Sequence, residues 1–202
     1  MPELRFGYHG SLDLPHEIVR AGGYSLDRVE LVEYDVRFPF TPLREGRVDV
    51  MITKFDHRDP GLVYSEVVGL DPRAVVVGLD HPLAGRDEVS VEDVADYVGF
   101  QRPGYMPEEV WDQLVPPLTP GGKAIRRGFP LTTVPELMRV VASGEGVHLT
   151  VLSIADVAPP SVRVLPVPDL PPGVVNLAHL PDAPEHVLKF VAAVEGELAV
   201  VA

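Results

Sequence analysis

His81-Pro82-Leu83-Ala84-Gly85-Arg86-Asp87-Glu88-Val89-Ser90-Val91-Glu92-Asp93-Val94 follows a strongly apolar run, Ala74-Val75-Val76-Val77. The run reads as a buried strand within Arg73–Leu79. After it, Ser90 is placed to accept an orphan N–H of a first helical turn, and Asp93 adds negative charge at the positive end of that helix. The stretch therefore carries the chain out of one strand, through a turn, and into a capped helix.

Before this point the pattern is strand, helix, strand, helix, strand. Leu4–Tyr8, Val29–Tyr34 and Val48–Thr53 are the expected strands. Leu14, Ile18 and Ala21 share a helical face, and Gly22-Gly23 ends that helix. Thr41–Glu45 reads as a short helix with Thr41 as N-cap and Gly46 closing it. After the stretch come a strand Tyr97–Gln101 and a helix opened by Pro107-Glu108-Glu109, carrying Val110, Trp111 and Leu114 and stopped by Pro116-Pro117. Next are a strand Lys123–Phe129, a capping box Thr133-Val134-Pro135-Glu136 before the helix Glu136–Ala142, a strand Val147–Leu152 and a helical turn Ser153–Val157. Strands Val162–Val167 and Val174–Leu180 and a helix Glu185–Leu198 complete the chain. The βαβ order occurs in 4–53 and again in 97–152, which predicts parallel pairing and two similar α/β lobes.

Composition narrows the function. At 46% hydrophobic and 23% charged, 202 residues can bury a real core. The formal net charge is -13, and the only Arg/Lys cluster is Lys123, Arg126 and Arg127. Phosphate tracking needs a basic face, so no direct nucleic-acid binding is expected. The absence of cysteine excludes disulfides, thiolate metal sites and a cysteine nucleophile. The seven histidines show no metal spacing, and neither a metal nor a cofactor is expected. Met1–Gly10 contains Glu3 and Arg5 and leads into no long apolar run, so the sequence is expected to lack a signal peptide or membrane span and to be cytoplasmic.

Five segments, in order, resemble the effector-binding domain of LysR-type transcriptional regulators. Arg28-Val29-Glu30-Leu31 is similar to its second strand. Leu43-Arg44-Glu45-Gly46-Arg47-Val48-Asp49-Val50-Met51-Ile52 resembles its L-x-x-G-x-hydrophobic-D-hydrophobic run. Asp59-Pro60-Gly61-Leu62 is similar to the next turn, His81-Pro82-Leu83-Ala84 to the way into the second lobe, and Pro135–Val147 to its helix-to-strand passage. The resemblance spans residues 3–198. It implies two Rossmann-like lobes of the type 2 periplasmic-binding-protein fold with a ligand cleft between them. Lobe I is then 1–75 plus 174–202 and lobe II is 76–173, one discontinuous domain. The Pro-rich 115–122 segment departs from the family pattern. Family members carry a helix-turn-helix module ahead of this domain and pair side by side. With Met1 three residues before the first strand, the expectation is a stand-alone sensor, with a piece cut from a full regulator as the alternative, and a homodimer.

Open α/β sheets bind ligands beyond the carboxyl ends of their strands. Those ends supply the candidates. Ser11 and Thr132 lie beside helix starts, where a hydroxyl and backbone N–H groups can hold an anionic oxygen. Thr133 is a cap. Arg102 beside Gly104 can pair bidentately with a carboxylate. Phe38, Phe40, Phe55, Tyr105 and Phe129 are aromatics at expected strand ends and favour a largely apolar or aromatic ligand; Thr41 and Thr150 complete the set. The expected function is binding of a small organic effector, a carboxylate or aromatic, with regulation through a partner. The alternative is an enzyme on the same fold that dehydrates, isomerises or cyclises a small acid. His9, Lys54 and His148 are its candidate catalytic groups, although no orienting partner is identifiable for either histidine.

Overall fold

A computed structural model describes residues 2–131 and 133–199. In chain order its strands and helices are β1 (Leu4–Tyr8), α1 (Asp13–Ala21), β2 (Val29–Glu33), α2 (Thr41–Arg44), β3 (Val50–Lys54), β4 (Val63–Tyr64), β5 (Gly69–Asp71), β6 (Arg73–Gly78), α3 (Val91–Val94), β7 (Val98–Phe100), α4 (Glu108–Leu114), β8 (Arg126–Phe129), α5 (Val134–Ala142), β9 (His148–Val151), β10 (Val162–Pro166), β11 (Gly173–His179) and α6 (Glu185–Leu198). Short 3-10 turns occupy Leu26–Arg28 and Leu152–Asp156. The chain divides into two compact units, Met1–Leu70 with Val174–Ala202, and Asp71–Gly173.

In the first unit the sheet order is β2-β1-β3-β11-β4, and β5 also pairs β11. β1 runs parallel to β2 and to β3, as the βαβ order predicts. β11 is antiparallel to β3 and β4. Four of the five β3 residues are buried, the pattern of a strand covered on both faces. One face packs Leu4, Phe6, Ile52 and Leu177 against Ile18 of α1 and Phe190 of α6. The Phe190 ring meets Phe6 and Tyr24 edge-on at 5.9 and 5.7 Å. Burial of such a ring stabilises the unit by about 1.5–3 kcal/mol. A Cβ on Gly22 would lie 2.1 Å from that ring, which explains the glycine where α1 ends. Phe40, Leu43, Val48, Met51, Leu62 and Ala178 form a separate core cluster.

The second unit holds an antiparallel sheet, β10-β6-β9, and a parallel pair, β7-β8. All six residues of β6 are buried. Val75 and Val77 share a core with Phe100, Trp111, Leu137, Val141, Leu149 and Leu165. Gly78 is required by a close approach: a Cβ there would lie 2.7 Å from the Val141 carbonyl oxygen. Arg73, at the start of β6, is 2% exposed. Its guanidinium donates to the Thr150 carbonyl (3.1 Å), the Gln113 carbonyl (2.9 Å) and the Leu114 carbonyl, so it caps the C-terminal end of α4. Asp71 accepts from the Ser153 N–H (3.2 Å) and hydroxyl (2.6 Å) at the 3-10 turn that follows β9.

Local expectations hold where a side chain meets the nearest orphan donor. Ser90 Oγ accepts from the Glu92 N–H at 3.1 Å and donates to Asp169 at 2.5 Å. Thr133 Oγ1 accepts from the Glu136 N–H at 3.3 Å. The reciprocal half of that capping box is not made, because Glu136 pairs with Arg139 one turn on. Thr41 is not a cap: it is the first helical residue of α2, and Phe40 precedes it without a side-chain cap. The strand expected from Lys123 begins only at Arg126. Residues 117–125 instead close on themselves, with Thr119 N–H to the Lys123 carbonyl at 2.8 Å, Ile125 N–H to the Pro117 carbonyl at 3.0 Å, and Gly122 at φ +84°.

Candidate functional site

Parallel strands β1, β2 and β3 end on the same edge of the first unit's sheet, and the residues just past those ends form one group. His9 follows β1, and its Nδ1 lies 3.1 Å from the Tyr34 carbonyl, just past β2. The Tyr34 hydroxyl donates to the Ile52 carbonyl of β3 at 3.1 Å, and burial pushes its phenol well up. The His9 and Tyr34 rings lie 5.8 Å apart and tilted by 34°. Glu33 Oε1 lies 4.0 Å from His9 Nδ1 and accepts from the Gly10 N–H at 3.4 Å. Burial lowers the His9 pKa; the Tyr34 hydrogen bond and the Glu33 charge oppose that shift, and the Lys54 charge adds to it. Ser11 is buried, and its hydroxyl accepts from the Asp13 N–H at 3.2 Å, at the start of α1.

The β3 end is more unusual. Phe55 and Asp56 both have positive φ, 58° and 50°, without being glycine. Such residues cost on the order of 1–3 kcal/mol each and persist only when their surroundings hold them. Here the Phe55 N–H donates to the Val174 carbonyl at 3.0 Å, and the Phe55 side chain is buried. Arg58 donates to Asp56 at 2.5 Å and lies over the Tyr64 ring, 4.9 Å from its centroid. The Tyr64 oxygen accepts from the Asp59 N–H at 2.6 Å. The His57 ring meets Phe40 at 4.9 Å.

The other candidates of this unit divide. Phe40 is buried in the core cluster with Leu43 and Met51. Thr41 sits half-buried inside α2. Phe38 is 62% exposed, with the Arg37 guanidinium 5.9 Å from its ring centroid. Tyr34, Glu33, His57 and Arg58 join the group without having stood out in the sequence. Tyr34 acts there through its backbone carbonyl, which has no sequence signature.

In the second unit Phe100 gathers two of the expected residues. Its ring lies 5.9 Å from Phe129 and 5.7 Å from His148. The Gln101 N–H donates to the Phe129 carbonyl at 2.7 Å. His148 is buried; burial, with the Arg73 charge as a smaller cause, lowers its pKa to about 4. Among the described residues its Nδ1 has no hydrogen-bond partner. A small void is lined by Tyr97, Phe100, Ile125 and His148. Thr150 is buried within β9, and its carbonyl accepts from Arg73. Arg102 is exposed and donates to the Met106 carbonyl at 2.7 Å, closing the turn that contains Tyr105. Thr132 lies outside the described residues. Among the described residues no group of three or more His, Asp or Glu is placed to hold a metal, and no helix is long and apolar enough to cross a membrane.

Structures of known proteins share this architecture. Full-length CbnR in complex with its target DNA superposes with a TM-score of 0.72 at 16% identity, over 98% of this chain and 71% of that one. The effector-binding domain of QuiR in complex with shikimate gives 0.67 at 17% identity, over 95% and 94%. The BenM effector-binding domain with its effector benzoate gives 0.66 at 19% identity, over 97% and 92%. At these identities the likeness speaks for the fold alone, an α/β fold of the periplasmic-binding-protein type 2 class. No curated protein matches the sequence significantly. Sequence decides the family: the LysR substrate binding domain matches residues 27–199, and the chain belongs to that family.

Proposed function

We propose that this chain binds a small organic acid, with a carboxylate and an apolar or aromatic body, and passes the bound state to a partner as a regulatory module. One observation carries the reading. His9, Ser11, Lys54 and the left-handed Phe55-Asp56 pair lie at or just past the carboxyl ends of β1 and β3, where open α/β sheets take their ligands. The set combines an ammonium, a hydroxyl, an imidazole and an aromatic ring, the mix of a site for a small acid. The stored backbone strain at Phe55 and Asp56 fits a binding loop. Family membership supports the same reading, as do the shikimate and benzoate held by QuiR and BenM. In the second unit Phe129, Arg102, Tyr105, Thr132 and Thr150 belong to the proposal, and so does pairing of two copies.

Titration calorimetry with benzoate and with shikimate tests it. The expected outcome is saturable binding of at least one acid, with Kd between about 1 μM and 1 mM. Ser11→Ala and Lys54→Met should each weaken it tenfold or more. Absence of saturable heat with these and related small acids overturns the reading.

A further inference from the structure

A carbonyl oxygen only accepts. The 3.1 Å contact between His9 Nδ1 and the Tyr34 carbonyl therefore assigns the proton to Nδ1. A neutral imidazole has one N–H, so Nε2 presents a lone pair. Among the described residues nothing donates to that nitrogen, and the His9 side chain keeps 37% of its surface open. The frame behind it is fixed, since the Tyr34 hydroxyl is tied to the Ile52 carbonyl of the central strand β3.

Burial is the main influence that holds the His9 pKa below its ordinary value and so favours the neutral ring, against the Tyr34 hydrogen bond and the Glu33 and Asp35 charges. Glu33 approaches Nδ1 rather than Nε2, at 4.0 Å, and is itself exposed and shared with the Gly10 N–H. Asp35 is held by Arg37, whose Nε lies 2.9 Å from one of its oxygens. From the end of β3 the Lys54 ammonium adds to the effect of burial in opposing protonation. The site thus pairs a cation with a neutral acceptor instead of two cations.

We infer that the ligand of this site is a hydroxy acid whose hydroxyl donates to His9 Nε2, while its carboxylate is taken by Lys54 and the Ser11 region. The inference rests on the binding role proposed above and names the chemical class within it. An acid without a hydroxyl would strip water from Nε2 and return nothing. Sites built to hydrogen-bond a substrate hydroxyl discriminate strongly against analogues that lack it. Tenfold or more is expected here.

Matched probes test this on the full chain. Cyclohexene-1-carboxylate and shikimate share a ring and a carboxylate and differ in hydroxyls; benzoate and its three monohydroxy derivatives form a second set. Calorimetry at pH 7.5 should show at least one hydroxylated acid binding tenfold or more tighter than its parent. His9→Phe keeps a ring but no acceptor, and should bring that ratio close to one. His9→Gln keeps an acceptor oxygen and should restore part of it. With the unmodified protein, the ratio should shrink as the pH falls below the usual histidine range, because protonated Nε2 becomes a donor. Binding of parent and hydroxylated acids with equal affinity, or a preference that survives His9→Phe and acid, overturns the inference and leaves the binding role standing. Failure of every acid to bind overturns the binding role and takes the inference with it.

Discussion

The two units treat nitrogen-bearing side chains in opposite ways. The second unit buries His81 Nε2, Trp111 Nε1, Arg127 Nε and His148 Nδ1 with no hydrogen-bond partner among the described residues. No described residue of the first unit has a side-chain nitrogen or oxygen in that condition. There the histidine of interest, His9, stands at the sheet edge with one nitrogen bonded and the other open. In the second unit His81 stands edge-on to Tyr97 with centroids 4.2 Å apart, and His148 stands edge-on to Phe100. Rings of this kind pack as apolar bodies and are held neutral by burial. The difference teaches where each unit is vulnerable. On the inference drawn for His9, protonation in the first would change what is recognised; protonation in the second threatens the core itself. Each orphaned polar atom costs about 1–3 kcal/mol, which the apolar packing of β6 and its neighbours offsets.

The largest expected effect is at Arg73. Arg73→Leu leaves the Gln113, Leu114 and Thr150 carbonyls without their donor, and should cost about 3 kcal/mol or more. The loss should be local. Amide exchange should quicken at Val75–Val77 and Leu149, while Phe6 and Leu177 keep their protection; equal loss in both units would break the contrast.

Acid comes next. The folded-state pKa of His148, about 4, lies below the 6.5 of an unhindered histidine. Between those values the unfolded chain takes the proton first. The stability contributed is therefore complete above about pH 6.5 and drains away as the pH falls towards 4, by about 3 kcal/mol in all. His81, also lowered by burial, acts in the same direction. Urea midpoints measured from pH 7.5 to 4 should fall, and His148→Leu should flatten the curve. An unchanged slope in that variant would remove His148 from the account.

The smallest effect sharpens the other side. Gly22→Ala drives a methyl group into the Phe190 ring and should cost about 1–3 kcal/mol. Because the obstacle is steric, the loss should be the same at pH 7.5 and pH 5, unlike that of the second unit. Thermal melts at the two pH values give the comparison.

How much of this was legible in the sequence depends on the range of the forces involved. The Ala74–Val77 run, the Ser90 cap and the bounds of α6 are local, and each reads directly from its own residues. The parallel order β2-β1-β3 follows from βαβ alternation. β4 and β5 are two and three residues long and exist through pairing with β11, so nothing local announces them. Nothing local marks Arg73 at the start of β6, because the carbonyls that it serves lie 40, 41 and 77 residues away. For the candidate site, the sequence picked out His9, Ser11 and Phe55. It did not single out Tyr34, whose contribution is a main-chain oxygen. Aromatic residues near strand ends were ambiguous because the same ring serves a core or a pocket: Phe38 is open and Phe40 is buried.

β11 lies between β3 and β4, although more than a hundred residues separate it from either in the chain. During synthesis that placement sets a timetable. The sheet of the first unit lacks an interior strand until His179 has been made, by which time all of Asp71–Gly173 has already left the peptidyl-transferase centre. The middle of the chain can thus become native before the beginning does, the reverse of the usual N-terminal-first order. Until then the unpaired edge of β3 is a ready template for another chain. A nascent chain stalled before Gly173 is the species that aggregation and chaperone capture should favour.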